Sequence, residues 1–403
     1  MSMDRRGFFR HSVAATALGL TERGFAATQS PGKPATIPLK DRSFCVDMAP
    51  LAGANATITD YSGFRYCPAV DSLLMFGGGH AATPEDVVLR FPMTAPGWSA
   101  DYASTPQATM QEKNPDGTYK YLTPEKFWQV PGEKPPIRPI SRHTYSGFIW
   151  SSAISRMILP MGNNGTYYGF TNETTGGNAA EYDPVKRTWE DTGQRGCGAA
   201  LAFCEDPVSG NIIAQDQGQF RVYDPRARKW IAEITLNAIP NFGYAASLVH
   251  YPPNDRFYYI SRNIDPEVHH VRVWEYAFDR KGLRPQYTSM VRSNLGEPMK
   301  TNWRPSPKSG GNETAYAYDS ENKLIVGSLF DGFMLGFRPN GDGSGEWLQH
   351  PAPGTTQQTF YCMDYVPRLN AHFAICTIAG RGKTTFAFRW DPSRAEAPKN
   401  PNS

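Results

Sequence analysis

Short hydrophobic stretches alternate along this chain with turns rich in Asp, Pro and Asn, and the order hydrophobic stretch, turn, hydrophobic stretch recurs six times. Runs of this length between turn residues predict β-hairpins. Repetition of one unit predicts a fold assembled from copies of a single supersecondary element. The copies are GFRYCPAVDSLLMFGGG from Gly63, GFIWSSAISRMILPMGN from Gly147, ALAFCEDPVSGNIIAQDQ from Ala200, SLVHYPPNDRFYYISRN from Ser247, AYAYDSENKLIVGSLFD from Ala315 and FYCMDYVPRLNAHFAIC from Phe360.

The second copy shows four strands in order. Strands are predicted over 145–150, 156–161, 179–182 and 188–190, and the Asp183-Pro184 turn followed by Trp189 joins the last two. These residues favour a turn because Pro presets its backbone angle and Asp hydrogen-bonds the turn. The same turn is predicted again at Asp224-Pro225. The prediction is an all-β protein, a β-propeller of four-stranded antiparallel blades. Six blades are counted, and a seventh could lie within 36–61.

The last copy ends at Trp390 after three strands. Its missing outer strand is predicted to come from residues after Pro34, because pairing the two chain ends closes the ring and removes a free sheet edge. The long polar connection at 98–141 is predicted to be an insertion near one face. The propeller is therefore expected as a single domain over 36–392, followed by a disordered tail at 393–403.

Two further features narrow the fold. The YDP and Trp turns, with the Gly77-Gly78-Gly79 run after Met75-Phe76, resemble kelch repeats, which build propellers. Such signatures indicate a fold far better than an activity.

Residues 1–27 differ from the rest. Paired arginines in the segment from Asp4 to Phe9 precede an apolar run at 12–20 and small residues near Ala26. The segment resembles a twin-arginine export signal, and its apolar run is shorter than the roughly 20 residues that span a bilayer. We expect export to the periplasm or the outside of the cell; the alternative is a charged, disordered N-terminus.

Composition suits a secreted enzyme or binder. The chain has 37 Gly, 34 Pro, 22 Phe, 20 Tyr and 9 Trp, as expected for many short strands and tight turns. A net charge of +3 gives no reason to expect nucleic acid. Neither a membrane nor a partner subunit is expected, so a monomer is predicted. Of the six Cys, Cys197 and Cys204 are the nearest pair and could form a disulfide, although buried free thiols are the commoner state.

Chemistry is expected at one end of the propeller. The chain preceding each first strand and the chain following each second strand emerge there together. Arginine recurs among these residues, and guanidinium groups bind carboxylate or sulfate through paired hydrogen bonds. The substrate-binding candidates are His80, Arg142, Asn164, Tyr168, Arg195, Arg304 and Arg381, and the catalytic candidates are His143, Tyr244 and Arg262.

The pairing of His143 on one blade with Tyr244 and Arg262 on another resembles the propeller-type polysaccharide lyases, which include ulvan lyases and rhamnose-glucuronate lyases. Where ulvan lyases carry a second His, this chain has Asn164, and those enzymes tend to have seven blades. The resemblance implies β-elimination next to a uronic acid. Tyr244 would remove the C5 proton and then protonate the leaving oxygen, while His143 and Arg262 would neutralise the carboxylate.

Each of these residues also has a structural alternative. His80 could end a strand, His143 and the arginines could link blades, and Tyr244 could be a packed aromatic. The lyase scheme requires no cofactor or metal, and a structural Ca²⁺ or Zn²⁺ stays open. Two other functions compete: a non-catalytic glycan- or protein-binding propeller, and a copper-radical sugar oxidase of the galactose oxidase kind. The expected partner is an acidic polysaccharide or oligosaccharide.

Overall fold

The structure, a computed structural model, describes residues 43–47, 62–77, 86–162, 176–197, 202–215, 218–236, 246–264, 269–294, 299–301, 315–330, 332–352, 355–378 and 382–398. Residues Thr36–Ser403 form one compact unit. The predicted export signal at 1–27 lies outside the described residues. No helix in the described part of the chain is long and apolar enough to cross a membrane.

The described strands form six antiparallel four-stranded blades, which confirms the predicted fold. The N-terminal strand is β1 (Ser43–Asp47). Blade one contains β2 (Phe64–Cys67), β3 (Ser72–Phe76), β4 (Val88–Pro92) and β5 (Ser99–Ala100). The insertion that follows contains α1 (Gln107–Met110), β6 (Phe127–Trp128) and β7 (Arg138–Pro139). Blade two contains β8 (Ile149–Ser151), β9 (Arg156–Leu159), β10 (Asn178–Asp183) and β11 (Thr188–Arg195).

The remaining blades repeat this order. Blade three contains β12 (Ala202–Glu205), β13 (Ile212–Gln215), β14 (Gln219–Asp224) and β15 (Lys229–Thr235). Blade four contains β16 (Ala246–Tyr251), β17 (Arg256–Ile264), β18 (His269–Asp279) and β19 (Arg284–Met290), with β20 (Arg292–Ser293) and β21 (Met299–Thr301) after it. Blade five contains β22 (Tyr316–Asp319), β23 (Leu324–Phe330), β24 (Phe333–Pro339) and β25 (Ser344–Pro351). Blade six contains β26 (Thr355–Val366), β27 (Ala371–Ile378) and β28 (Gly382–Phe388).

The ring closes through the N-terminal strand. β1 pairs antiparallel with β28 from Ser43 opposite Phe388 to Asp47 opposite Thr384 and so supplies the fourth strand of blade six. This confirms the prediction that residues after Pro34 complete the last blade. The first strands of neighbouring blades contact one another in the cycle β2, β8, β12, β16, β22, β26 and back to β2.

The first hairpin of three blades turns through a short 3-10 helix that begins with Pro. In blade one this helix is Pro68–Val70, and Asp71 follows it with a left-handed φ of 47°. Asp and Asn tolerate this conformation better than other residues with a Cβ. The Tyr66 hydroxyl donates to the Asp71 carboxylate at 2.9 Å and fixes the turn. The other two helices, Pro252–Asn254 and Pro367–Leu369, end on Asp255 and Asn370 in the same conformation.

The Asp-Pro turns join third and fourth strands, as predicted. The Asp183 carboxylate accepts hydrogen bonds from the backbone N–H groups of Val185 and Lys186 at 3.0 and 2.9 Å. The Trp that follows is buried between blades. Trp189 is 2% exposed and its ring lies 4.8 Å from that of Phe76 in blade one. The repeated spacing of Asp, Pro and Trp therefore encodes both a turn and a blade-to-blade contact.

The first strand of blade two begins later than predicted. Strand β8 starts at Ile149, whereas the sequence predicted a strand from residue 145. Tyr145 has a left-handed φ of 47°, and the N–H of Gly147 donates to the Thr144 carbonyl at 2.6 Å. Residues 144–147 therefore form a turn, which keeps Tyr145 out of the strand ladder.

The insertion after blade one packs around its own small core of Met110, Tyr119, Trp128 and Ile140. Arg138 anchors it to blade one, because its guanidinium lies 3.6 Å from the carboxylate of Asp86 and both side chains are buried. Burial raises the pKa of Asp86, and Arg138 opposes that rise. The N–H of Asn178 donates to the Glu125 carbonyl at 3.0 Å, so the insertion also contacts the start of β10.

Two sequence-based expectations are corrected. Cys204 is an unbridged thiol, so a disulfide to Cys197 is wrong; burial raises the pKa of Cys204 to about 12. Residues 393–398, within the segment predicted to be disordered, are structured. Glu396 and Gln349 exchange backbone hydrogen bonds of 3.0 and 2.8 Å, which adds the tail to the edge of blade five.

Candidate functional site

The candidate site lies at one end of the propeller, which we call the mouth end. There the first strand of each blade begins and the second strand ends, at Ile149 and Leu159 in blade two and at Ala246 and Ile264 in blade four. The segments that precede β2 and β8 run parallel, with Ser62 bridged to Tyr145. Equivalent segments of successive blades therefore meet at this end, as the strand order predicted.

His143 and Tyr145 form a pair at the mouth end of blade two. Nδ1 of His143 lies 3.1 Å from the Tyr145 hydroxyl, and the two rings meet edge to face with centroids 5.5 Å apart. The side chains are 2% and 3% exposed. Sequence reasoning placed Tyr145 at the mouth with Arg142 and His143, as the start of a strand, and assigned it no catalytic or binding role. The left-handed turn at Tyr145 brings its hydroxyl to His143, and no local sequence signal marks that turn.

Blade one fixes the segment that carries the pair. The Thr144 hydroxyl donates to the Phe76 carbonyl at 2.9 Å, and the N–H of Gly63 donates to the Tyr145 carbonyl at 2.9 Å. Gly77, with a φ of 113°, permits this approach. A Cβ at Gly77 would lie 2.7 Å from the Ser62 hydroxyl and 2.8 Å from a methyl of Thr144. The first Gly of the GGG run is thus required by a close contact between blades.

Arg142 has a different environment from the one predicted. It is fully buried, and its guanidinium donates to the carbonyls of Ile140 at 3.1 Å, Met161 at 2.6 Å and Asn178 at 3.1 Å. These carbonyls belong to three separate segments at the mouth end of blade two. The contacts support the structural alternative for Arg142, in which the guanidinium joins these segments beneath the mouth. Its predicted role in substrate binding stays a prediction.

Two other predicted residues also lie at the mouth end. Arg195 is the exposed last residue of β11, opposite Asn178, and its carbonyl accepts a hydrogen bond of 3.1 Å from the Trp230 indole. The backbone of Arg262 lies near the end of β17, opposite Val271. The hairpin that carries Arg262 begins with Ala246 opposite Ser261, and Tyr244 comes two residues earlier in the chain. The strands therefore bring His143, Arg195 and Arg262 to the same end of the fold, the first two on blade two and the third on blade four.

The other six predicted site residues lie outside the described residues: His80, Asn164, Tyr168, Tyr244, Arg304 and Arg381.

Within the described ranges, no group of three or more His, Cys, Asp or Glu side chains is arranged to hold a metal ion. Two described His residues away from the mouth end pair with carboxylates. His372 Nε2 lies 3.0 Å from the Asp319 carboxylate, and His250 Nε2 lies 2.9 Å from that of Asp255. The first pair joins blades five and six, the second lies within the first hairpin of blade four, and both are at the opposite end of the propeller.

The strand order makes the protein a six-bladed β-propeller. No protein-family model and no curated protein matches the chain. Among solved structures it is similar to an auxiliary nutrient binding protein from Bacteroides thetaiotaomicron, with 10% identity, 81% of this chain and 69% of that chain covered, and a TM-score of 0.44. It is also similar to an alpha-L-arabinanase from Penicillium chrysogenum solved with arabinobiose, with 10% identity, 84% and 92% covered, and a TM-score of 0.42.

A third similar structure is PorZ, a surface component of the type-IX secretion system of Porphyromonas gingivalis. Identity is 9%, coverage is 84% of this chain and 33% of that chain, and the TM-score is 0.34. Likenesses this distant carry no argument about function. The site itself has to support any assignment.

Proposed function

We propose that this protein is an exported polysaccharide lyase that cleaves a uronate-containing polysaccharide by β-elimination. The observation that carries the proposal is the placement of His143 and Arg262 at the same end of the propeller, on blades two and four. The exposed Arg195, at the end of the last strand of blade two, lies at that end as well. A saccharide bound across the mouth would meet cationic groups from blades two and four, and guanidinium groups bind carboxylates through paired, charge-assisted hydrogen bonds.

The reaction needs a stabilised carbanion and a proton acceptor. Removing the C5 proton places negative charge on the uronate carboxylate, and Arg262 with His143 would stabilise that charge. Tyr244 is the proposed acceptor of the C5 proton and donor to the leaving oxygen. The pair of electrons from the C5–H bond forms the C4–C5 double bond as the C4–O bond breaks. Tyr145 would act as a positioning residue, because its hydroxyl holds the imidazole of His143 in one orientation.

The scheme requires no metal or cofactor, and export would bring the protein to polysaccharide in the periplasm or outside the cell. His80, Asn164, Tyr168, Arg304 and Arg381 are proposed to contact the substrate. The insertion contacts the start of β10 at the mouth end, so it is placed to border the bound chain.

A non-catalytic glycan binder is the second candidate. Two observations favour it. Arg142 is buried and held by three backbone carbonyls, and His143 is buried beside the Tyr145 hydroxyl, so both side chains have partners within the protein when no substrate is bound. A binder would retain affinity for the polysaccharide and release no product.

One assay separates these functions. Purified protein would be mixed with uronate-containing polysaccharides, and the absorbance of the new C4–C5 double bond would be followed beside a measurement of binding. The lyase proposal expects absorbance to rise with the parent protein and to stop rising with Tyr244→Phe, while binding is retained. Binding without any rise in absorbance would assign the binder instead.

Tyr251→Phe is a matched control. Tyr251 is a buried Tyr on the first strand of blade four, and its hydroxyl donates to the Lys323 carbonyl at 3.0 Å at the opposite end of the fold. This variant should cleave at the parent rate. Equal cleavage by the parent and by Tyr244→Phe would remove Tyr244 from the mechanism.

A further inference from the structure

Gln215 is a buried polar residue at the mouth end of blade three. It is the last residue of β13, the second strand of that blade, and it pairs with Ala202 and Phe220. Its side chain is fully buried. Neither the amide nitrogen nor the amide oxygen has a hydrogen-bond partner among the described residues.

The face on which Gln215 lies follows from strand alternation. Ile212 and Ala214 pack in the core that includes Phe148 and Tyr182 of blade two. Ile213 packs with Ala246 and Leu248 of blade four. Since alternate residues of a strand share a face, Gln215 lies on the blade-four side, next to the level at which β16 begins.

An amide in this state is unfavourable in the free protein. A carboxamide can donate two hydrogen bonds and accept two, and leaving such a group buried without partners costs more than an apolar side chain of the same shape would. The position would be better filled by Leu if only the fold mattered. Any state of the protein in which the amide gains hydrogen-bond partners is therefore stabilised relative to this one.

We infer that Gln215 is a saccharide-binding residue, whose amide donates to one sugar hydroxyl and accepts from another. A paired donor and acceptor match neighbouring hydroxyl groups on a sugar ring, and the residue lies at the same end of the propeller as His143, Arg195 and Arg262. This rests on the proposed carbohydrate function and adds a neutral contact to the cationic ones. A bound internal water is the competing explanation, because buried waters satisfy polar groups of this kind.

The test uses Gln215→Leu in the full-length protein. Unfolding temperature and affinity would be measured with oligosaccharides of galacturonate and glucuronate, and with neutral xylo- and gluco-oligosaccharides. The inference expects affinity to fall by about ten-fold or more while the unfolding temperature without sugar stays equal or rises. Gln349→Leu is the control. Gln349 is also a buried Gln, but its amide donates to Glu396 at 2.9 Å on the outer strand of blade five. It should unfold at a lower temperature and bind sugar as the parent does.

Each other result overturns the inference. Unchanged affinity in Gln215→Leu shows that the amide contacts no sugar, and a lower unfolding temperature shows that it already has a partner, such as a water, in the free protein. If a neutral sugar binds and no uronate polymer is cleaved, the lyase proposal fails while Gln215 is still tested on the neutral sugar. If no sugar raises the unfolding temperature of the parent, the inference and the proposed function fail together.

Discussion

His372 in blade six lies with Nε2 3.0 Å from a carboxylate oxygen of Asp319 in blade five, and both side chains are buried. Asp319 is also the first residue of a turn, where it accepts backbone hydrogen bonds from Glu321 at 3.0 Å and Asn322 at 2.9 Å. One carboxylate thus shapes the first hairpin of its own blade and joins it to the next blade. The stability of the ring should therefore depend on its ionisation.

Acid should weaken this junction. Burial raises the pKa of Asp319, but the hydrogen bond and charge of His372 and the bonds from Asn322 outweigh it, so the net shift is downward. The unfolded value is about 3.9. A folded pKa below the unfolded one stabilises the fold above about pH 4 and loses that contribution as pH falls through the folded value. Urea unfolding between pH 6 and pH 2 should show the loss.

Asp319→Asn should lower the free energy of unfolding by about 1–3 kcal/mol at pH 6 and flatten its dependence on pH in the acid range. Glu346→Gln, which breaks an exposed pair with Arg338 at 3.1 Å, is the control and should cost less than about 1 kcal/mol. An acid slope as steep in Asp319→Asn as in the parent would show that this carboxylate does not govern acid stability.

Arg280 should be a second essential link, between blades three and four. Its guanidinium lies 2.8 Å from Asp206 and 2.7 Å from Asp255, and Asp206 is fully buried. Burial raises the pKa of Asp206, yet the hydrogen bonds from Arg280 and Ser209 lower it overall. Arg280→Met leaves that buried charge without its cation and should cost about 2 kcal/mol.

Chemical unfolding at neutral pH measures this effect. Arg338→Met removes a guanidinium from an exposed pair and should cost under about 0.5 kcal/mol. The role assigned to Arg280 is wrong if the two variants unfold at the same urea concentration.

Much of the fold could be predicted because its signals are local. The Asp183-Pro184 turn and the Pro-led hairpins are set by residues within one turn, and the repeat of these signals counts the blades. The closing strand followed from the three strands visible near Trp390. The left-handed turn at Tyr145 was missed. Contacts with Ser62 and Phe76 of blade one hold this turn, and no residue near Tyr145 in the sequence indicates those contacts.

The candidate site could be predicted only in part for the same reason. Strand order gave the common end of His143, Arg195 and Arg262, since that depends on direction alone. Arg142 is buried against the carbonyls of residues 140, 161 and 178, and no sequence pattern predicts that these three carbonyls lie close together. No sequence signal marks Gln215, because its lack of hydrogen-bond partners is visible only in three dimensions.

The closing strand gives a test of where the domain begins. Removing residues 1–35 should leave the unfolding temperature unchanged, because the compact unit starts at Thr36. Removing residues 1–48 also removes β1, which exposes the edge of β28 and leaves its backbone groups unpaired. The longer deletion should unfold several degrees lower and aggregate at lower concentration.

Differential scanning fluorimetry and light scattering would compare the two deletions with the parent. Equal behaviour of both would show that β1 contributes little to ring closure. A loss of stability in the shorter deletion would move the start of the domain into residues 1–35.

Tyr145→Phe tests whether the pair at the mouth end serves the reaction. The change removes only the hydroxyl that lies 3.1 Å from His143 Nδ1, and Phe keeps the ring between blades one and two. If Tyr145 orients His143 for stabilising the carboxylate, cleavage of a uronate polymer should slow by about ten-fold, the loss expected for one neutral hydrogen bond. The dependence of the rate on pH should also change, because the protonation of His143 is coupled to that hydrogen bond.

Rates followed by double-bond absorbance across pH 5 to 9 in Tyr145→Phe, Tyr251→Phe and the parent provide the comparison. Loss of stability alone would lower the rate without moving the pH profile, and an unmoved profile in Tyr145→Phe would reduce Tyr145 to a packed aromatic of the junction between blades.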